Sequence, residues 1–176
     1  RVEFQARQHD DGPKRVLGID IPAELGARDL DRVLEIVVAH PSTARHLAGK
    51  LCRRFITDEP SADAVAATAE AFSASGGNIP ATSRALVATP EFRATETRGA
   101  KFKRPFHFVV SALRATNAET DASRQLIDYL VRMGHAPFRY ATPDGYPEAA
   151  THWQNALLWR WNFATAIQNV ISAKES

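Results

Sequence analysis

The chain has 176 residues, of which 44% are hydrophobic and 24% are charged, and its formal net charge at pH 7 is +2. This length predicts one domain, or one domain with an appendage, and the ordinary composition argues against a disordered chain. The single cysteine, Cys52, excludes an internal disulfide and a cysteine-based zinc site. The small net charge gives no argument for a nucleic-acid partner, and no apolar run approaches the roughly 20 residues that a membrane span requires.

The N-terminal residues 1–21 are predicted to be extended. Two short segments that look extended, 2–6 and 14–18, flank the turn-forming residues 9–13, which favours a short β-hairpin or an extended appendage. We expect residues 22–176 to form a single helical domain.

The hydrophobic period becomes helical from Asp29, which is expected to cap a first helix. The apolar face of that helix carries Leu30, Val33, Leu34, Val37 and Val38. A second helix is predicted over about 41–56, because Pro41 suits a first helical position. Its apolar stripe consists of Ala44, Leu47, Ala48, Leu51, Cys52 and Phe55. Its opposite, basic face consists of Arg45, His46, Lys50, Arg53 and Arg54, which predicts a solvated helix surface and, as an alternative, a contact with nucleic acid or anionic lipid.

The later helices are predicted from capping residues and from prolines at first helical positions. Their expected start signals are Ser61, Asn78 with Pro80, Thr89 with Pro90, Pro105, and Asp121. A proline-rich loop over 135–150 then precedes a final helix from Asn155 to about Ser172. The sequence therefore predicts an all-α fold of about six to seven helices.

The 135–150 loop and the residues that follow it form the densest candidate binding segment. Asp144 lies in a predicted type I turn, and Pro147 forces Tyr146 into an extended conformation. A functional interpretation presents Asp144, Tyr146 and Trp153 to a ligand. The alternative, which we favour, is a structural strap that buries Tyr146 and Trp153 against the last helix.

The final helix is predicted to place Leu157, Trp161, Ala164 and Ile167 on one apolar face, and Arg160 away from its centre. Arg160 suits a clamp for a carboxylate or phosphate ligand, and it equally suits an internal pair with Asp144. The internal pair is favoured. With the ligand clamp kept as the alternative, Arg160 and Trp161 are counted among the candidate binding residues.

Three cations, Lys101, Lys103 and Arg104, come directly before a helix start. Together with free backbone N–H groups they predict a possible anion site, against the simpler interpretation of a solvated basic linker. His9-Asp10-Asp11 is interpreted as a turn, and Glu148 with His152 forms no known metal motif. The sequence thus predicts no metal site and no cofactor.

Several short motifs, in order along the chain, resemble the bacterial domain-of-unknown-function 1800 family. They include His9-Asp10 with Lys14 and Leu17-Gly18, His40-Pro41-Ser42-Thr43-Ala44-Arg45, Lys50-Leu51-Cys52-Arg53-Arg54-Phe55, Thr89-Pro90-Glu91-Phe92, Phe108-Val109-Val110-Ser111-Ala112-Leu113-Arg114-Ala115, Pro143-Asp144-Gly145-Tyr146-Pro147 and Arg160-Trp161-Asn162-Phe163-Ala164. Two positions depart from the family's pattern: His46, where an aromatic residue is common, and His107, where an acidic residue is common.

The resemblance implies that this chain is the C-terminal portion of a longer, exported protein, located in the periplasm or outside the cell. Such proteins are often encoded beside a second uncharacterised family with sulfatase-like features, which suggests a protein partner. The resemblance supplies no catalytic residue.

These observations favour a non-catalytic binding or assembly module, with its surface at the 135–150 loop and the start of the last helix. One alternative is the C-terminal part of an enzyme whose active site lies mainly in an N-terminal region outside this chain. The other is weak anion or nucleic-acid binding through the basic faces, although no nucleic-acid motif accompanies them.

Overall fold

A computed structural model describes residues 3–175 of the chain, and the side chains of residues 3–169. The backbone divides into two compact units, one up to Thr97 and one from Arg98 onward. Within the described residues, eight α-helices and one two-stranded sheet form the regular structure, which confirms the predicted all-α fold with a short hairpin. The boundary predicted at residue 21 and the single domain predicted for 22–176 stay predictions.

The hairpin consists of β1 (Lys14–Val16) and β2 (Ile19–Ile21), which pair antiparallel with Lys14 opposite Ile21. The expectation that the hairpin turn lies at residues 9–13 is wrong. The turn is the pair Leu17 and Gly18, which both have positive φ (50° and 81°), as a two-residue hairpin turn of right-handed strands requires. The earlier turn residues instead wrap around the ammonium of Lys14, which donates to the carbonyl of Gly12 at 3.0 Å.

Five helices complete the first unit. They are α1 (Arg28–Ala39), α2 (Pro41–Phe55), α3 (Ala62–Ala74), α4 (Ile79–Ala88) and the short α5 (Pro90–Arg93). The predicted caps Ser61, Asn78 and Thr89 are confirmed, since each side chain accepts a hydrogen bond from a backbone N–H of the first helical turn. The predicted stripe of α2 also packs inward at its centre, where Ala44, Ala48 and Cys52 are buried.

Helix α1 departs from prediction in two respects. Asp29 does not cap it, because Asp29 lies inside the first turn and is buried against Lys14. Four residues of its predicted apolar face are also exposed: Leu30, Leu34, Val37 and Val38. The buried residues of α1 are Asp29 and Ile36, so the face that packs is not the apolar face that the hydrophobic period predicted.

The second unit contains α6 (Pro105–Ala115), α7 (Arg124–Arg132) and α8 (Leu157–Glu175), with a 3-10 helix at Ala150–Ala156 before α8. Pro105 begins α6 as predicted. Helix α7 begins at Arg124 with Ser123 as its cap, rather than at Asp121. The core of this unit consists of Val109, Leu130, Met133, Ala136 and Phe163.

Candidate functional site

The loop that follows α7 is held in place by an aromatic cluster of His135, Tyr146 and Trp153. The ring of His135 stacks on Trp153 with centroids 4.7 Å apart and meets Tyr146 edge-on at 4.5 Å. The Tyr146 hydroxyl donates to the carbonyl of Ala136 at 2.7 Å, and Trp153 Nε1 donates to the carbonyl of Pro147 at 3.0 Å. These contacts support the structural strap, but the strap is fastened to the end of α7 and to the 3-10 helix.

His135 is the residue of this cluster that sequence reasoning missed. Gly134 adopts a φ of 74° after α7, and the N–H of His135 returns to the carbonyl of Leu130 at 2.8 Å, as in a Schellman motif. That motif turns the residue after the glycine back toward the helix. The signal was therefore present in the sequence as Gly134, because a glycine directly after a helix favours this motif.

His135 is buried and serves as a cap for α6, because its Nδ1 accepts a hydrogen bond from the N–H of Phe106 at 3.3 Å. Burial lowers the pKa of His135 to about 4, and the nearby positive charges of Arg104, His107 and Arg160 act in the same direction. The imidazole is therefore neutral at pH 7, which suits an acceptor at a helix N-terminus.

Arg160 contradicts the predicted face of α8, because only 9% of this residue is exposed. Its Nη2 donates to the carbonyl of Lys103 at 2.8 Å, and its guanidinium lies 4.5 Å from the ring centroid of Phe102 and 5.2 Å from that of Phe108. The favoured pair with Asp144 is wrong. Asp144 is exposed and accepts a hydrogen bond from the Thr142 hydroxyl.

Trp161 and Leu157, which were predicted to share one apolar face, are 72% and 54% exposed, and Leu158 is 66% exposed. The buried face of α8 instead carries Arg160 and Phe163. The physical reason is that α8 has large apolar side chains on both faces, so their spacing does not determine which face packs. The cation–π contacts of Arg160 with Phe102 and Phe108 compensate in part for burying its charge.

The three cations before α6 have separate environments. Arg104 Nη1 lies 3.1 Å from Glu148 Oε1, Lys103 is exposed, and Lys101 is half-buried. The N–H of Phe106, a backbone donor at this helix end, is already bound by His135. An anion would therefore have to compete with Glu148 for Arg104, and the anion site stays a prediction.

Within residues 3–175, no helix is long and apolar enough to cross a membrane. In the same part of the chain, no three His, Cys, Asp or Glu side chains are grouped so as to hold a metal ion.

The fold and this segment define a helical protein whose second unit is organised around an aromatic strap and an exposed tryptophan. A family described as "Protein of unknown function (DUF1800)" matches residues 1–175. The chain belongs to that family, as its motifs suggested. No curated protein and no solved structure matches it.

Proposed function

We propose that the chain is a non-catalytic binding or assembly module that docks a protein partner through the outward face of α8. The observation that carries this proposal is the exposure of Leu157, Leu158 and Trp161 at neighbouring positions of one helix. Residues three and four positions apart are neighbours on a helix surface, so Trp161 lies next to both Leu158 and Leu157. Tryptophan and leucine together supply the apolar anchor typical of a protein interface.

The strap gives this patch a rigid base. Trp153 is buried in the 3-10 helix immediately before α8, and Phe163 is buried on the opposite face of α8. An apolar patch on a firmly packed helix loses little conformational entropy on binding. The same unit also presents Phe138, whose side chain is fully exposed and whose φ is +60°; strained backbone of this kind persists where the surroundings enforce it.

The partner is proposed to be a protein. The family resemblance nominates the sulfatase-like protein that is encoded nearby, and it is also the basis for proposing that both proteins act outside the cytoplasm. The polar surroundings of the patch fit a partner with its own apolar pocket, since Asn162, Thr165 and Gln168 are exposed beside it.

The test is a calorimetric titration of the purified chain with that sulfatase-like protein. Trp161→Ala should weaken binding by at least about tenfold, as expected of a central aromatic anchor. The matched control is Val131→Ala, which removes a partly exposed apolar side chain from α7 of the same unit and should leave the affinity unchanged. If Trp161→Ala and Leu158→Ala both bind as tightly as the unaltered chain, the proposed surface is wrong.

A further inference from the structure

A cavity of about 520 Å³ lies in the first unit, beside the start of α1. Its lining includes Glu3, Phe4, His9, Asp29 and Leu30. Glu3 and Asp29 carry carboxylates, and no lysine or arginine is among the lining residues that the structure describes. The cavity therefore offers negative charge together with an apolar wall.

Asp29 is the buried carboxylate of this cavity, with 7% of the residue exposed. Its Oδ2 lies 2.8 Å from Lys14 Nζ and 2.9 Å from His9 Nε2. Both contacts are ion-pair contacts rather than well-aligned hydrogen bonds. The direct contact with the Lys14 ammonium lowers the pKa of the Asp29 carboxyl, so Asp29 carries its charge at neutral pH.

The second oxygen of this carboxylate, Oδ1, is buried and has no hydrogen-bond partner in the described part of the chain. An ionised carboxylate accepts several hydrogen bonds, and a buried acceptor without a donor costs roughly 1–3 kcal/mol or more. Lys14 does not supply the missing donor, because its ammonium is also bound to the carbonyls of Asp10 and Gly12. The site thus lacks a donor at a defined atom.

We propose that this cavity binds a small molecule with a protonated amine, whose ammonium donates to Oδ1 of Asp29 and whose apolar group packs on Phe4 and Leu30. Glu3 adds a second negative charge to the lining. The ring of Phe4 stands edge-on to His9 at 5.1 Å, so an aromatic wall adjoins the carboxylate. Aromatic rings and carboxylates together favour an ammonium over a neutral or anionic group.

This site is independent of the surface on α8, because every residue in it belongs to the first unit. The two proposals can therefore fail separately.

The probe for the test is benzylammonium, titrated into the isotopically labelled chain and followed by amide chemical shifts. Benzyl alcohol and benzoate have the same ring without the positive charge and serve as controls. We expect benzylammonium to bind at least about tenfold more tightly than either, with the largest shifts at Phe4, Asp29 and Leu30. Equal affinity for the alcohol, or shifts located elsewhere, would overturn the proposal.

Two variants test which carboxylate binds the ammonium of the probe. Asp29→Asn should weaken benzylammonium binding at least about tenfold, whereas Asp31→Asn, an exposed carboxylate in the same helical turn, should leave it unchanged. Equal effects of the two variants would contradict the assignment to Asp29.

Glu3→Gln is a second variant in case Asp29→Asn does not fold. Because Glu3 is exposed, this substitution should not affect folding. This variant should weaken binding about threefold, and unchanged affinity would count against the proposal. A crystal structure grown with benzylammonium supplies a second measurement. An ammonium within hydrogen-bond distance of Oδ1 would support the site, and an ordered water retained there would overturn it.

Discussion

Acidification should destabilise the unit that begins at Arg98, because it charges a buried imidazole. The pKa of His135 is about 4 in the folded chain, against an ordinary value of 6.5, and burial is the main cause. Three neighbouring residues lower the pKa of His135 further, because their positive charges disfavour a protonated imidazole: Arg104, His107 and Arg160. Protonation would also remove the lone pair with which Nδ1 accepts the N–H of Phe106.

The sign and size of the effect follow from linkage. Above pH 6.5 His135 is neutral in both states, so its full contribution to stability is present. Between pH 6.5 and 4 the unfolded chain binds a proton that the folded chain does not. The free energy of unfolding therefore decreases as the pH is lowered through this range. The pKa values differ by about 2.5, and each unit is worth about 1.4 kcal/mol, so the total loss approaches about 3 kcal/mol below pH 4.

The assay is urea unfolding followed by tryptophan fluorescence at several pH values from 7 to 4. All three tryptophans lie in this unit, so the signal reports on it selectively. The comparison is with His135→Asn, whose amide oxygen can accept the Phe106 N–H but does not titrate. Carboxylates titrate in both proteins, so the difference between the two pH slopes isolates residue 135.

The unaltered chain should lose about 3 kcal/mol more than His135→Asn over this range. His152→Asn removes an exposed imidazole from the neighbouring 3-10 helix and should keep the slope of the unaltered chain. Identical pH slopes for the unaltered chain and His135→Asn would refute the reasoning, whatever their absolute stabilities.

Three further perturbations test the packing in each unit. Arg160→Ala should lower the free energy of unfolding by about 2–4 kcal/mol, and Arg160→Met by less, because methionine keeps an unbranched side chain against Phe102 and Phe108; equal losses in urea unfolding would contradict this. Burial raises the pKa of the Cys52 thiol, so iodoacetamide should label it only in denaturant; labelling at equal rates in the native chain would refute its burial. Ser61→Ala and Glu91→Gln should each lower the free energy of unfolding by about 1 kcal/mol. The double variant should lose less or more than the sum, because Glu91 accepts the N–H of the Ser61 cap at 3.1 Å. Strict additivity of the two losses would exclude the coupling.

The features that could be predicted from the sequence depend on local chemistry. Ser61, Asn78 and Thr89 cap helices because a short polar side chain satisfies a nearby backbone N–H, and this requires no knowledge of distant residues. Pro105 begins its helix for an equally local reason. Of the candidate site, Trp153 was correctly expected to serve as packing, since it is buried beside a stiff turn.

The features that could not be predicted depend on contacts between residues that are distant in the sequence. His9 and Asp29 are 20 residues apart in the sequence, and only the fold brings them within 2.9 Å. Each had a sufficient local interpretation, as a turn residue and as a helix cap. The same limit applies to α1, where the packed face carries Asp29 and Ile36 rather than the residues of the predicted apolar face.

The orientation of α8, which decides which of its side chains are buried and which are exposed, is the feature that the proposed binding surface would explain. The helix buries Arg160, whose Nε has no hydrogen-bond partner among the described residues, while it exposes Trp161 and two leucines. Burying a large apolar side chain stabilises a fold by roughly 1.5–3 kcal/mol, and burying a guanidinium is costly unless it is well paired. A rotation of α8 that exchanged these faces would also expose Phe163, a residue of the core, so only part of this gain in stability is available. The proposed binding surface would give a physical reason for the exposed side of this helix, because an apolar face that a partner covers need not be buried within the chain itself.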